Sequence, residues 1–305
     1  MLFLTEAEVR ELLPMAKAIE LMEGLFHRLA AGNSLNQPRR RLILPTGSVL
    51  HYMAGADGAY FGTKVYSAHP QHGAHFLFLL YRAADAKPLA IFEANYLGQI
   101  RTGAASGYAT DLLASPQATT LAIVGSGFQA RSQVEAIRLV RPITSVRVWS
   151  RDPEKRRKFA EETGAEATDT AEEAVRGAHI VATATNSKDP VIEDAWISPG
   201  THINAMGSNI ANRRELPADL VRRAGLVAAD SLEQAHLEAG DLILADSWNN
   251  VVELASLRNP AYDPTRITVF KSLGLGVEDV AAGAYVYERA LATPERFADR
   301  NPATR

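Results

Sequence analysis

Gly125, Gly127 and Ala130 fall in the order G-x-G-x-x-A within Thr119-Thr-Leu-Ala-Ile-Val-Gly-Ser-Gly-Phe-Gln-Ala-Arg131. Leu121 to Val124 is an apolar run of strand length, and from Phe128 the apolar residues Val134, Ile137 and Val140 take helical spacing. In such a strand–turn–helix unit, Gly125 permits the sharp reversal and Gly127 lets the backbone approach a diphosphate. Ala130 lets helix and sheet pack closely. The diphosphate would then meet free N–H groups at a positively polarised helix end. The spacing alone is weak; the strand before it and the helix after it supply the context that a dinucleotide needs. A second strand, Ser145 to Trp149, is followed by Ser150-Arg151, where an acid would hold an unmodified adenosine ribose. A serine and a guanidinium suit a 2′-phosphate, so these residues favour NADP(H) over NAD(H). The competing reading leaves Arg151 in solvent and gives the ribose to Asp152.

Three further places could supply cations for an anionic substrate. In Pro38-Arg-Arg-Arg41, strand alternation puts Arg39 and Arg41 on one face and Arg40 on the other. From residues alone this run reads first as a solvated basic edge. Lys64 stands in the apolar strand Gly62-Thr-Lys-Val-Tyr66. A buried ammonium there is costly unless paired, which an anionic ligand would explain; an edge lysine that discourages aggregation explains it equally. Arg101-Thr-Gly-Ala-Ala-Ser-Gly107 opens a helix rich in small residues. Arg101 could pair a carboxylate or phosphate bidentately at the helix end, or lie at the surface while the small residues serve close packing. His51, His69, His72, His75 and His202 are candidate acid–base groups, none in a metal-ligand spacing, so no metal site is expected.

The rest of the chain must position these groups. With 305 residues there is length for two domains, and with no cysteine there are neither disulfides nor thiolate chemistry. A formal charge of -3 argues against a nucleic-acid partner. No apolar run approaches the roughly 20 residues of a membrane span, and the N-terminus lacks a signal-peptide pattern; the expectation is a cytoplasmic protein. Thr5-Glu-Ala-Glu8 predicts a capping box, and Pro14 to Gly32 predicts an amphipathic helix. Residues 41–44, 49–53, 60–66, 76–82 and 88–93 then read as successive strands, an antiparallel meander in an α+β domain. Residues 101–113 read as a helix and Ser115-Pro-Gln117 as a linker. From Thr119, strands at 179–184, 202–206 and 225–229 alternate with helices beginning near Pro153, Thr170 and Pro217. This is the pattern of a doubly wound, Rossmann-type parallel sheet in an α/β protein. A last helix is predicted from Val277 to Ala292.

Five stretches in order resemble the ornithine cyclodeaminase/mu-crystallin family: Gly62-Thr-Lys64; Arg101 to Gly107; Gly125 to Ala130; Asn204-Ala-Met-Gly-Ser-Asn209 with Arg214-Glu-Leu216; and Lys271-Ser-Leu-Gly274 with Glu278-Asp279. The resemblance implies a substrate and dimerisation domain over 1–115, rejoined by 277–305, and a Rossmann domain over 116–276. It implies a homodimer. It puts a substrate-carboxylate clamp on Arg39, Lys64 and Arg101, with Arg41 the alternative register for Arg39, and turns Leu273 toward the substrate. Nucleotide contacts are implied at Arg101, Thr102, Gly125, Gly127, Gln129, Ala130, Ser150, Arg151, Thr183, Met206, Arg213 and Ser272.

The family includes imine and ketimine reductases, alanine dehydrogenases, cyclodeaminases and an NADPH-dependent hormone-binding protein. The cyclodeaminase pattern has a proton-transferring aspartate where this chain has Asn209. An amide cannot take up a proton at neutral pH, although it can orient a water or an amine. The resemblance therefore implies an NAD(P)H-dependent oxidoreductase acting on the C–N bond of a small imino or amino acid. Lys64 and Asn209 would be its catalytic groups. A cyclodeaminase-type ammonia lyase and a nucleotide-dependent binding protein are the alternatives.

Overall fold

The computed structural model describes residues 1–293. Two compact units divide the described residues: Met1–Arg101 with the stretch from Gly274 to residue 293, and Thr102–Leu273. This division falls inside the helix Asn95–Leu113, whereas the sequence suggests a break at Ser115-Pro116-Gln117. The part of the expected segment 277–305 that follows residue 293 lies outside the described residues.

In the first unit, β1 (Leu2–Leu4), β2 (Ser34–Ile43), β3 (Val49–Asp57), β4 (Tyr60–His69), β5 (Gly73–Arg82) and β6 (Pro88–Glu93) form one sheet in the order β1-β6-β5-β4-β3-β2. Strands β2 to β6 are the expected antiparallel meander. Strand β1 has no counterpart in it and pairs parallel with β6, so this sheet is mixed. Strand β2 begins at Ser34 rather than Arg41; its register shifts between Gln37 and Arg40, around Pro38, which has no N–H to give a regular ladder. One face of the sheet buries Met53, Lys64 and Phe78, cross-strand neighbours. The helix Gly276–Leu291 packs against β3 and β4, and there two backbones almost touch. A Cβ on Gly55 would lie 2.5 Å from Val277 Cα, and one on Gly276 would lie 2.7 Å from the Ala54 carbonyl oxygen.

The helix Asn95–Leu113 begins well before Arg101, and Glu6 supplies the reason. Its carboxylate accepts the Asn95 and Tyr96 N–H groups, each at 2.6 Å, satisfying donors that a helix start leaves open. The expected capping box at Thr5 is present, with the Thr5 N–H donating to Glu8 Oε2 at 2.8 Å.

In the second unit, β7 (Thr120–Val124), β8 (Ser145–Trp149), β9 (Glu166–Ala167), β10 (Ile180–Thr183), β11 (His202–Ala205), β12 (Leu226–Ala229), β13 (Val251–Glu253) and β14 (Thr268–Lys271) form a parallel sheet. Their order is β13-β12-β14-β11-β10-β7-β8-β9. Alternate strand residues feed two cores: Ala122, Val124 and Val181 enter one, and Leu121, Ile123 and Ile180 the other. That division is what helices on both faces require. The chain leaves β7 toward β8 and β9, then returns to β10 on the other side of β7. Strands β7 and β10 therefore flank the switch point where ligands bind in open α/β sheets. Among the described residues, no helix is long and apolar enough to cross a membrane, and no group of three or more His, Cys, Asp or Glu could hold a metal ion.

Candidate functional site

The first unit gathers Arg39, Lys64 and Arg101 with Glu278 and Asp279 in its interior. Strand alternation turns Lys64 inward, where it is 3% exposed and donates to Asp279 Oδ1 at 3.0 Å. Strand β4 lies between β3 and β5, so Lys64 is no edge lysine, and that reading is corrected. Gly98 makes room for the ammonium, since a Cβ there would lie 2.3 Å from Lys64 Nζ. Arg101 is buried too, against the surface reading. It lies inside the helix Asn95–Leu113 and not at its start, because Glu6 begins the helix six residues earlier. Its Nη1 donates to Glu278 Oε2 at 2.8 Å and its Nε to Asp279 Oδ1 at 3.3 Å. Arg39 is buried and Arg40 exposed, so the arginine run is not a solvated edge throughout. The Arg39 Nη2 donates to the Gly274 carbonyl oxygen at 3.3 Å. Arg41 is half-buried.

In this cluster Asp279 meets both Lys64 and Arg101, and Glu278 meets Arg101. Burial pushes the Lys64 ammonium down to about 8, Asp279 resists, and Arg101 and Arg39 add to the lowering. Arg101 is held protonated: burial opposes its charge, but Asp279 and Glu278 outweigh burial. The Glu278 and Asp279 pair stands in the quoted sequence stretches without a role. The signal was two acids in the first turn of a largely apolar helix, a place where acids are ordinary.

Five nucleotide candidates stand at or just after C-terminal ends of strands in the second unit: Gly125 after β7, Ser150 after β8, Thr183 ending β10, Met206 after β11 and Ser272 after β14. Gly125 has φ +114°, and a Cβ there would lie 2.4 Å from the Ala184 carbonyl oxygen. Gly127 is the N-cap of the helix Phe128–Val140; a Cβ on it would meet no heavy atom within 4 Å. Ala130, in the first turn of that helix, is wholly buried. This turn fits a dinucleotide: one glycine is required by backbone shape, the other leaves space open where a diphosphate would lie. The buried Ser150 accepts from Ser126 Oγ at 2.9 Å, joining the turn to the end of β8, and Arg151 is exposed.

Other candidates are placed as follows. The Thr183 hydroxyl is wholly buried and donates to Glu215 Oε2 at 2.9 Å. Thr102 and Leu273 are buried, and Gln129, Met206, Asn209 and Arg213 are half-buried. The Ser272 N–H completes the ladder to Ala205. Of the histidines, His202 is a core residue, its Nδ1 2.9 Å from Thr268 Oγ1; burial, with Arg141, lowers it to about 3. His51 stacks on Tyr66, and burial followed by Arg41 and Arg39 lowers it to about 4.

A parallel sheet with this glycine turn at its switch point is the architecture of a dinucleotide-binding domain. The chain belongs to the ornithine cyclodeaminase/mu-crystallin family, whose profile matches residues 1–294. The ketimine reductase mu-crystallin of Mus musculus is 37% identical over 226 residues, covering 73% of this chain and 71% of that one. The Thermococcus litoralis Delta(1)-pyrroline-2-carboxylate reductase, solved with NADH and L-proline, superposes with a TM-score of 0.90 at 30% identity, over 96% of this chain and 98% of that one. An archaeal alanine dehydrogenase dimer with bound NAD gives a TM-score of 0.84 at 30% identity, over 96% and 97%.

Proposed function

We propose that the protein reduces the C=N bond of a small imino acid at the expense of NAD(P)H, and runs the reverse oxidation of the amino acid. The observation that carries this reading is the convergence of three buried cations, Arg39, Lys64 and Arg101, which are 6%, 3% and 5% exposed, close enough that both arginines lower the Lys64 ammonium. Cations gathered out of water repel one another, and a substrate carboxylate set among them relieves that repulsion. The bound reduced nicotinamide supplies a hydride. Lys64 and Arg101 hold the carboxylate and so fix the imine carbon; Leu273 contributes an apolar wall. Asn209 orients the imine nitrogen or a water by hydrogen bonding. The nitrogen needs one proton as the carbon takes the hydride, and Lys64, near pKa 8, can release one at neutral pH.

NADP(H) is the preferred cofactor in this reading. Asp152, the alternative ribose partner, caps the helix Pro153–Thr163: its Oδ1 accepts the Glu154 and Lys155 N–H groups, both at 3.1 Å. The exposed Arg151 beside it is left for a 2′-phosphate, while the Ser150 hydroxyl is bonded to Ser126 and the Asp152 carbonyl. A homodimer is supported by the outer face of the first sheet, where Leu42, Leu50, Tyr52 and Leu77 are 55%, 37%, 43% and 46% exposed. Register joins Leu42 to Leu50 and lines Tyr52 and Leu77 up across Val65, an apolar patch of the kind that associates.

The test is direct. Purified protein with NADPH and a cyclic imino acid such as pyrroline-2-carboxylate consumes the nicotinamide absorbance. Absence of turnover across a panel of imino acids, and of oxo acids with ammonia, with either reduced cofactor, overturns the reading.

A further inference from the structure

Three charged residues of the second unit, Glu215, Asp241 and Lys271, are each 0% exposed and belong to neither the cation cluster nor the nucleotide turn. Lys271 Nζ lies 2.7 Å from Asp241 Oδ2 and donates to the Ser208 carbonyl oxygen at 2.6 Å. Asp241 Oδ1 accepts the Glu215 and Leu216 N–H groups at 2.6 and 2.9 Å. Glu215 Oε2 accepts the Gly207 N–H at 2.7 Å and the Thr183 hydroxyl at 2.9 Å. Its Oε1 accepts the Thr185 N–H at 2.7 Å and the Thr185 hydroxyl at 2.8 Å. A backbone N–H can only donate, so both Glu215 oxygens act as acceptors; burial and then Asp241 push its pKa up, with Lys271 and Thr185 pulling against them.

Apolar side chains would fill the same volume at less desolvation cost. What the three charges achieve is a grip on the two residues before Asn209. Glu215 takes the Gly207 N–H and Lys271 takes the Ser208 carbonyl, while Lys271 is itself in register with Ala205 at the end of β11. Gly207 is enclosed: a Cβ would lie 2.2 Å from the Thr185 carbonyl oxygen. We propose that Glu215, Asp241 and Lys271 are positioning residues that fix the turn 206–209 and thereby aim the Asn209 amide. This deepens the proposed function and rests on its assignment of Asn209 to the imine nitrogen or a water.

Two measurements test it separately. Amide hydrogen exchange needs no turnover: the wild-type Gly207 amide is protected to the level of the β11 amides, and E215Q, with one acceptor oxygen replaced by a donor, speeds exchange in 206–209 by about tenfold or more. Rapid exchange at Gly207 in the wild type overturns the proposal. In steady-state kinetics, E215Q lowers kcat about tenfold while KM for the imino acid stays within about threefold. The double variant E215Q/N209A is then no slower than N209A, because both changes remove one function. Losses that multiply overturn the proposal. K271M, which strips the ammonium from Ser208, enters the same cycle if E215Q does not fold. A protein protected at Gly207 yet inert toward every imine refutes the catalytic reading alone; the anchoring of the turn stands on the exchange data.

Discussion

Lys64 and Asp279 meet at 3.0 Å inside the first unit although 215 positions separate them in the chain. Burial, then the neighbouring Arg101 and Arg39, brings the ammonium down to about 8 against the pull of Asp279. Below that pH Lys64 is charged and can grip a carboxylate; above it the grip is lost. Affinity for the saturated amino-acid product, measured by calorimetry from about pH 6.5 to about pH 9.5, therefore falls on the alkaline side. K64M binds weakly at every pH. Stability moves the other way: an unfolded lysine keeps its proton up to about 10.5, so from about 8 to 10.5 the unfolded chain binds more protons and stability from this group rises with pH. A product affinity that ignores pH, with K64M equal to wild type, removes Lys64 from the clamp.

Arg101 forks between Glu278 and Asp279, and a lysine cannot span both with that geometry. R101M leaves two buried acids short of a partner and costs about 3–5 kcal/mol in a urea titration. R101K costs less, but raises KM for the imino acid about tenfold or more. An R101K enzyme with unchanged KM would place the carboxylate elsewhere.

The two turn glycines separate fold from binding. Gly125 has a positive φ and a crowded Cβ position, so G125A loses more than about 1 kcal/mol of stability. Gly127 has φ -76° and open space beyond it, so G127A melts as wild type does yet binds NADPH about tenfold more weakly. Fluorescence titration and thermal melting read the pair; equal NADPH affinity in G127A would take the diphosphate off this turn.

Much of this was legible because it is local. The run Leu121–Val124, the change to helical spacing and the glycines mark the strand, turn and helix without reference to anything distant. Lys64 stood out as a charge in an apolar strand. The pairing that explains it did not, since Glu278 lies 177 positions from Arg101 and nothing near either residue records the other. The early start of the helix at Asn95 was hidden for the same reason: its cap is Glu6, 89 positions away. Strand β14 is hard to read because Lys271 ends its short apolar run, and the groups that let this lysine be buried, Asp241 and the Ser208 carbonyl, lie far off in the chain. Strands β1, β9 and β13, of two or three residues, are too short to show a period.

In the proposed reading, the exposed Arg151 bears on cofactor choice. R151A is expected to lower kcat/KM for NADPH about tenfold and leave that for NADH within about twofold. Loss with both cofactors, or with neither, would take Arg151 off the 2′-phosphate.

In the proposed reading, Asn209 sets reduction against deamination. Wild-type protein is expected to release no ammonia from ornithine, whereas N209D, which restores a proton acceptor, gains measurable release in a coupled assay. Ammonia release by the wild type, without net cofactor reduction, would move the protein to the cyclodeaminase branch.

The helix that carries Glu278 and Asp279 has a consequence for synthesis. Residues Thr102–Leu273 leave the ribosome as one uninterrupted run and can fold while translation continues. The unit made first cannot: Lys64 and Arg101 wait for acids translated long after them, and the groove over Gly55 stays open until Gly276 arrives. The amino-terminal third of the nascent chain is thus the stretch left open longest, and the helix Gly276–Leu291 is the bolt that closes it.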